Sequence, residues 1–379
     1  MKMENKAKRN LMIFWMVILF VPFIQWGLHL FKGGELKGGV VIAPDVEFSL
    51  AGWINGDYQR EKEKYFNDQF GFRNDFVRLH NQIGYSLFKK MNANGVVVGK
   101  DSYLFEKPYI ECLFGENYVG DSIILDRVRK LKMLRDTFNR MGKHLVVVFA
   151  PNKARFFPQM IPNDLRTKQT TTNYDQYVKY FAENHVPILD CNAYFLKISD
   201  TSRYDLFPKY GTHWSMYGGS LIRDSLVNII EDVSGKPLPK FAKTIRLSDY
   251  PEYTDADIGD GLNLIQKLQG GPYAYASYQQ IDSSKKSSVK IISISDSFYW
   301  TMVYLDFPNM FQNNQFWYYF TDIWPERKRP DGQKMTIPDI NLQDEINNND
   351  LFIIMVSEVN LGYIGFSFTD QAYQLYFGK

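Results

Sequence analysis

Val289-Lys290-Ile291-Ile292-Ser293-Ile294-Ser295 runs straight into Asp296-Ser297-Phe298-Tyr299-Trp300, and this passage governs how the rest of the chain is read. The first seven residues are largely apolar and too few for a helix, so they read as a strand. The apolar stretch after Ser297 opens a helix. Two other segments repeat the pattern: His144–Ala150 (HLVVVFA), closed by Pro151, and Asp350–Val356 (DLFIIMV). Strands that are apolar throughout, rather than at every second residue, are buried on both faces. That is the mark of a parallel sheet lying between helices.

The intervening segments supply those helices. Ile124, Val128, Leu131, Leu134, Phe138 and Met141 fall on one face, and Gly142 stands where a C-terminal cap belongs. A helix at Tyr174–Asn184 leads into a short strand at Val186–Asp190. Another spans Ser215–Asp232 with Ile222, Leu226, Ile229 and Ile230 on its apolar stripe. Asn94-Gly95 marks a turn before two short strands, Val96–Val98 and Tyr103–Phe105. The expected class is α/β, in one domain over residues 93–379. Residues 245–288 interrupt the alternation as an insertion, and Ser283-Ser284-Lys285-Lys286-Ser287-Ser288 reads as a solvated loop.

Upstream, the chain changes character. Residues 1–10 carry Lys2, Lys6, Lys8 and Arg9 against Glu4 and form a basic tail. Leu11 to Phe31 then runs 21 residues without Asp, Glu, Lys or Arg, about 30 Å as a helix and enough to cross one bilayer core. No A-x-A cleavage site comes after it, so the expectation is a retained single-pass anchor in the inner membrane rather than a removed signal peptide. The basic end stays cytoplasmic, which places the body in the periplasm or extracytoplasmic space. Residues 32–92 make a tether and a helical neck, broken near Gly71, with Phe76, Leu79, Ile83 and Leu87 on one face.

Composition narrows the function. Of 379 residues, 45% are hydrophobic and 23% charged, which excludes disorder, coiled coil and collagen. Lys and Arg number 44 against 42 Asp and Glu, so there is no electrostatic footprint for a nucleic-acid partner. Two cysteines, Cys112 and Cys191, allow one bridge or two buried thiols. No cysteine–histidine group has zinc spacing, and no glycine-rich loop succeeds a strand, so no metal or cofactor is expected. Asp255-Ala256-Asp257-Ile258-Gly259-Asp260-Gly261 has the look of a calcium loop. Gly259 and Asp260 fall on the wrong positions, however, and Gln266 replaces the closing Glu, so it reads as a solvated acidic turn.

In open α/β sheets the site lies beyond the C-terminal ends of the strands. Here that selects Pro151–Arg155, Ser295–Trp300 and Ser357–Asn360. A serine at a strand-to-helix turn exposes its hydroxyl, and the N–H of the next residue, Phe298, faces a developing oxyanion. The alternative is a simple helix cap. Among five histidines, His29 lies in the apolar segment, His80 in the neck, His144 at a strand start and His185 at a helix end. That leaves His213, in Tyr210-Gly211-Thr212-His213-Trp214-Ser215, as the base. The aromatic run Phe316-Trp317-Tyr318-Tyr319-Phe320 reads as a buried strand first and a sugar platform second.

His213-Trp214-Ser215 with Gly218-Gly219 resembles the D-x-H-W-T/S-x-x-G block of the AlgX/AlgJ alginate O-acetylation family, whose domain is SGNH-hydrolase-like. Four further blocks are similar to that family in the same order. They are Gly56-Asp57-Tyr58 with Glu61, Tyr65, Asp68 and Phe70-Gly71-Phe72-Arg73; Gly99-Lys100-Asp101-Ser102-Tyr103-Leu104-Phe105; Pro151-Asn152-Lys153 with Pro158; and Ser297 within Ser-Asp-Ser-Phe at the nucleophile's place. The resemblance implies an SGNH-like parallel sheet after the anchor and neck. It also implies an O-acetyltransferase acting on an exported or cell-surface polysaccharide through an acetyl-serine, supplied by a membrane-bound O-acyltransferase. Ser297 would be the nucleophile and His213 the base, with Phe298, Asn152, Lys153 and Trp214 as oxyanion or substrate residues. The family's acid two residues before the histidine is here Gly211. Asp296, Asp205 and Glu358 are the candidates to orient the imidazole, and a backbone carbonyl can also do so. Two other functions fit the same residues: a catalytically silent glycan-binding or scaffold subunit, and a carbohydrate acetyl esterase.

Overall fold

The computed structural model describes residues 2–91, 93–168, 170–281 and 286–378. It divides into two units, Met1–Asn94 with Gly259–Leu268, and Gly95–Ile258 with Gln269–Lys379.

The larger unit is built on one sheet. Its strands are β1 (His144–Ala150), β2 (Ile188–Asp190), β3 (Ser287–Ser295), β4 (Phe311–Tyr318), β5 (Asp322–Trp324) and β6 (Leu351–Ser357), in the order β2-β1-β6-β3-β4-β5. All pairs are parallel except β4–β5, where the edge strand runs back. Alternate side chains of the central strands enter two separate cores. Val146, Val148, Ala150, Ile291, Ile353 and Met355 pack on the face covered by α3 (Met216–Ser234) and α4 (Tyr299–Tyr304). Leu145, Val147, Phe149, Ile292, Ile294, Phe352 and Ile354 pack on the other, under α1 (Asp121–Arg140), α2 (Asn173–Glu183) and α5 (Phe366–Phe377). Burial on both sides explains why the strands read as unbroken apolar runs. Each side chain taken fully from water contributes roughly 1.5–3 kcal/mol.

Register fixes where chemistry can occur. Ala150 lies opposite Ser357, Met355 opposite Ser295, and Ser295 opposite Tyr318, so four strands end at one rim. The chain leaves that rim at Asn152, Glu358, Ser297 and Tyr319.

Several expectations are corrected. The expected insertion at residues 245–288 carries regular structure: Phe241–Ser248 and Tyr273–Gln280 pair antiparallel on either side of a short helix, Asp257–Gly261. Ser287 and Ser288 open β3, while Ser283, Ser284 and Lys285 lie outside the described residues. The aromatic run leaves the sheet after Tyr318, with Tyr319 and Phe320 at φ of 50° and 54°. Cys112 and Cys191 are free buried thiols, and burial pushes both up.

The smaller unit begins with an apolar helix that ends at Leu28, three residues short of Phe31. Residues 6–28 of it are long and apolar enough to cross a membrane. The neck comprises three helices, Leu50–Asn55, Asp57–Gln69 and Arg73–Phe88.

Candidate active site

The turn after β3 presents Ser297, and the loop entering α3 presents His213. The two meet: His213 Nε2 lies 2.8 Å from Ser297 Oγ. His213 Nδ1 is hydrogen-bonded to the Asp257 carboxylate, through its Oδ2. The other oxygen, Oδ1, accepts the backbone N–H groups of Thr212 at 2.8 Å and Ile258 at 2.7 Å. The carboxylate is therefore held from three sides, and it fixes the ring so that Nε2 faces the serine.

Asp257 was not among the acids expected, and none of those three holds the imidazole. Asp296 is turned into the sheet: Oδ1 accepts the Phe298 N–H at 3.1 Å, and Oδ2 accepts the Ser357 N–H at 2.7 Å and the Asn360 amide at 2.9 Å. It braces the end of β3 against the end of β6. Asp205 receives the Ser215 hydroxyl on its backbone carbonyl, and burial raises its carboxyl. Glu358, 1% exposed, forms a two-pronged pair with Arg155 at 2.9 and 2.6 Å.

Gly211 explains the displacement of the acid. A Cβ there would lie 2.6 Å from the Thr254 carbonyl and 2.9 Å from Pro208 Cγ. The loop leading to Asp257 occupies the space that a side chain at 211 needs. The carboxylate arrives from 44 residues downstream of the histidine instead of two residues upstream. The acidic turn is not solvated either: Asp255 is 0% exposed, accepts the Met216 N–H at 3.1 Å at the start of α3, and is pushed up to about 7 by burial. Among the described residues, no group of three His, Cys, Asp or Glu side chains could hold a metal ion.

The remaining expected residues are structural in their contacts. The Phe298 N–H donates to Asp296 and is not left free for an oxyanion. Its buried ring supports His213 from below, centroids 4.6 Å apart, and abuts Trp214 at 5.3 Å. Trp214 is fully buried. Asn152 caps the next turn through the Ala154 N–H and donates to the Tyr109 carbonyl. Lys153, 2% exposed, donates to the carbonyls of Leu104, Lys209 and Gly211 at 2.8, 2.9 and 2.7 Å. It clamps the loop before His213 rather than reaching a ligand. Burial pushes it down to about 7, although three carbonyl acceptors match the three protons of an ammonium.

Tyr319 enters the site unannounced. Its hydroxyl lies against the side chains of Ser297 and Asn360, and burial with the charge of Asp296 pushes it up to about 12. It stays protonated and can donate. Its N–H is tied to the Ser295 carbonyl at 2.8 Å, and its backbone has a positive φ of 50°. Such backbone conformations cluster at functional sites. Glu106 completes the surroundings: raised by burial, it lies against Thr212 and within electrostatic reach of His213. Burial opposes charge on His213, but Asp257, with Asp296 and Glu106, outweighs it and holds the imidazole above its usual 6.5.

A parallel sheet with serine, histidine and aspartate linked in series at its C-terminal rim defines an SGNH-hydrolase-like protein. Residues 96–288 match the family described as the SGNH hydrolase-like domain of acetyltransferase AlgX, and the chain belongs to that family. The matched stretch contains His213 and Asp257, and Ser297 lies just beyond it. Among curated relatives, the chain is 22% identical over 201 residues to the "probable alginate O-acetylase AlgJ" of Pseudomonas syringae pv. tomato, covering 52% of this chain and 49% of that protein. It is 22% identical over 184 residues to the protein of the same name in Azotobacter vinelandii, covering 48% and 46%. The chain thus spans about half the length of the curated relatives it matches. The solved O-acetyltransferase domain of Pseudomonas putida AlgJ shares the fold, with a TM-score of 0.50 at 15% identity over 75% of this chain and 100% of that one.

Proposed function

We propose that the protein is a membrane-anchored, extracytoplasmic O-acetyltransferase that transfers acetyl groups to an exported or cell-surface polysaccharide through an acetyl-serine. The observation that carries this is the series Ser297 Oγ, His213 Nε2, His213 Nδ1 and Asp257. His213 takes the serine proton as Oγ attacks the carbonyl carbon of an acetyl donor. The tetrahedral oxyanion collapses, the donor's leaving group departs with that proton, and acetyl-Ser297 remains. A sugar hydroxyl then loses its proton to His213 and attacks the acyl carbon, and the proton returns to Ser297 Oγ. The Tyr319 hydroxyl, in place of the Phe298 backbone N–H, is the donor we assign to the oxyanion in both steps.

The donor reaches the site from a membrane-bound O-acyltransferase in this reading. The anchor helix, with its basic start, holds the catalytic unit outside the inner membrane. A silent scaffold would not need a serine, an imidazole and a carboxylate aligned in this way. An esterase uses the same residues with water as the acceptor.

The test incubates the full chain with p-nitrophenyl acetate and maps the adduct by mass spectrometry. Acetyl on Ser297, absent in Ser297→Ala and His213→Ala, is the expected result. A folded wild-type chain carrying no acetyl at Ser297 would overturn the reading. Added oligosaccharides, unacetylated alginate among them because the relatives bear that name, then separate the two outcomes. Acetylated sugar indicates transfer, and free acetate alone indicates an esterase.

A further inference from the structure

The helix Arg73–Phe88 is inside out. Its polar side chains are turned inward, onto the chain. Asn74 and Arg78 donate to the Gly34 carbonyl at 3.1 and 2.9 Å, Arg78 also reaches the Glu35 carbonyl, and Asn81 donates to the Leu262 carbonyl at 2.8 Å. Gln82 accepts the Gln266 N–H at 2.9 Å. The apolar stripe points the other way: Phe76, Leu79, Ile83 and Leu87 are 50, 46, 46 and 71% exposed. None of the three neck helices contains a buried residue. In water an amphipathic helix does the reverse, and a contiguous apolar patch of this kind marks an interface.

The same unit shows what covers it. The turn between the second and third neck helices rests on the outer end of the apolar N-terminal helix. Gly71 abuts the Pro22 carbonyl there, and a Cβ on Gly71 would lie 2.8 Å from the Trp26 N–H. The rings of Trp26 and Phe66 are 6.1 Å apart, and those of Phe31 and Phe72 are 6.0 Å apart. Trp26 is the aromatic residue of the span that belongs at the lipid–water interface. A neck packed at that height is itself at the bilayer surface, and Phe66, Phe70 and Phe76 share its exposure.

We infer that the neck is an interfacial element, whose Phe76–Leu79–Ile83–Leu87 stripe is seated in the outer leaflet of the bilayer that the N-terminal helix crosses. The neck is then no spacer: it lies on the lipid. This rests on reading residues 6–28 as the anchor.

The full chain is reconstituted into phosphatidylcholine–phosphatidylglycerol vesicles free of other protein. The environment-sensitive dye NBD is attached to Leu79→Cys, Ile83→Cys or, as a control, the exposed Arg129→Cys, while Cys112 and Cys191 are buried and unreactive. Dye at 79 and 83 should emit to the blue of dye at 129, lose most of its emission to doxyl-labelled lipid, and resist aqueous iodide. Iodide quenching at 79 and 83 equal to that at 129, in vesicles that carry the chain on flotation, overturns the inference and leaves the anchor standing. It would mean that the stripe meets water rather than lipid. Failure of the chain to float overturns the anchor and the inference together. Phe76→Ser combined with Ile83→Ser gives a second measure: protease cleavage within residues 73–88 should rise in vesicles, while acetylation of Ser297 is retained.

Discussion

Helix α3 and the neck helix Arg73–Phe88 carry apolar stripes of nearly the same spacing and use them in opposite ways. In α3, Ile222, Leu226 and Ile230 are 0% exposed and lie on the sheet. In the neck helix, Phe76, Leu79, Ile83 and Leu87 face outward, while asparagine, arginine and glutamine face the chain. Periodicity shows that a helix has an apolar face. Whether protein or lipid covers that face depends on what lies against it. In α3 the polar positions are also engaged within the unit, Arg223 donating to the Leu305 carbonyl and Asp224 accepting from Lys243 and Tyr278, but the apolar stripe is itself covered by the sheet. In the neck the polar positions are used up within the unit, and only an apolar medium suits what remains.

Chemistry should divide the two regions most sharply. Asp257→Asn keeps the shape of the side chain but loses the charge that orients the imidazole. It should lower kcat for acetylation by about 10⁴-fold, the effect of the equivalent change in a serine protease. Leu79→Ser in detergent should leave kcat within experimental error. Steady-state kinetics on the two variants decides this. An Asp257→Asn enzyme at near wild-type rate would remove the carboxylate from the machinery.

Residue types alone make much of this legible, and the exceptions have physical causes. The central strands are apolar on both faces, so HLVVVFA, VKIISIS and DLFIIMV were legible as a buried sheet. Ser297 was legible because a buried parallel strand must deliver its last residues to the rim of the sheet, and His213 because so few histidines compete. Asp257 was not. It lies in a hairpin insertion whose course obeys no local periodicity, among acids arranged like a failed metal loop. The one clue was Gly211, a residue without a side chain where an acid was expected, which signals that something else fills the space. Sequence position alone leaves the Phe298 N–H free for an oxyanion, but the carboxylate two residues before it captures that donor. Tyr319 was hidden in an aromatic run whose first residues are indeed strand.

Stability separates the regions next. Leu226→Ala leaves a cavity between α3 and the sheet and should cost about 2–5 kcal/mol in denaturant unfolding monitored by tryptophan fluorescence. Leu79→Ala removes a side chain already half in solvent, leaves no cavity, and should cost nothing measurable in detergent. A large loss at Leu79 would mean that protein, not lipid, covers the stripe.

The smallest effect is in pH dependence, and it belongs to the rim alone. His213 serves as base only when neutral, and its environment holds it above 6.5, so acetylation should rise with pH through that elevated value. Its stabilising pairing with Asp257 has the opposite sign. A histidine whose folded value exceeds the unfolded one contributes stability that is complete below 6.5 and is lost as pH climbs through the folded value. Activity and this part of stability must therefore cross, one rising where the other falls. In Asp257→Asn, burial acts on the imidazole with less opposition, so the midpoint of residual activity should move to lower pH and the stability slope should flatten. Variants in the neck, which holds no part of this pair, should move neither curve. If the midpoint stays in place in Asp257→Asn, the charge that raises it must come from Asp296 and Glu106 instead, and the double variant with Glu106→Gln would then lower it.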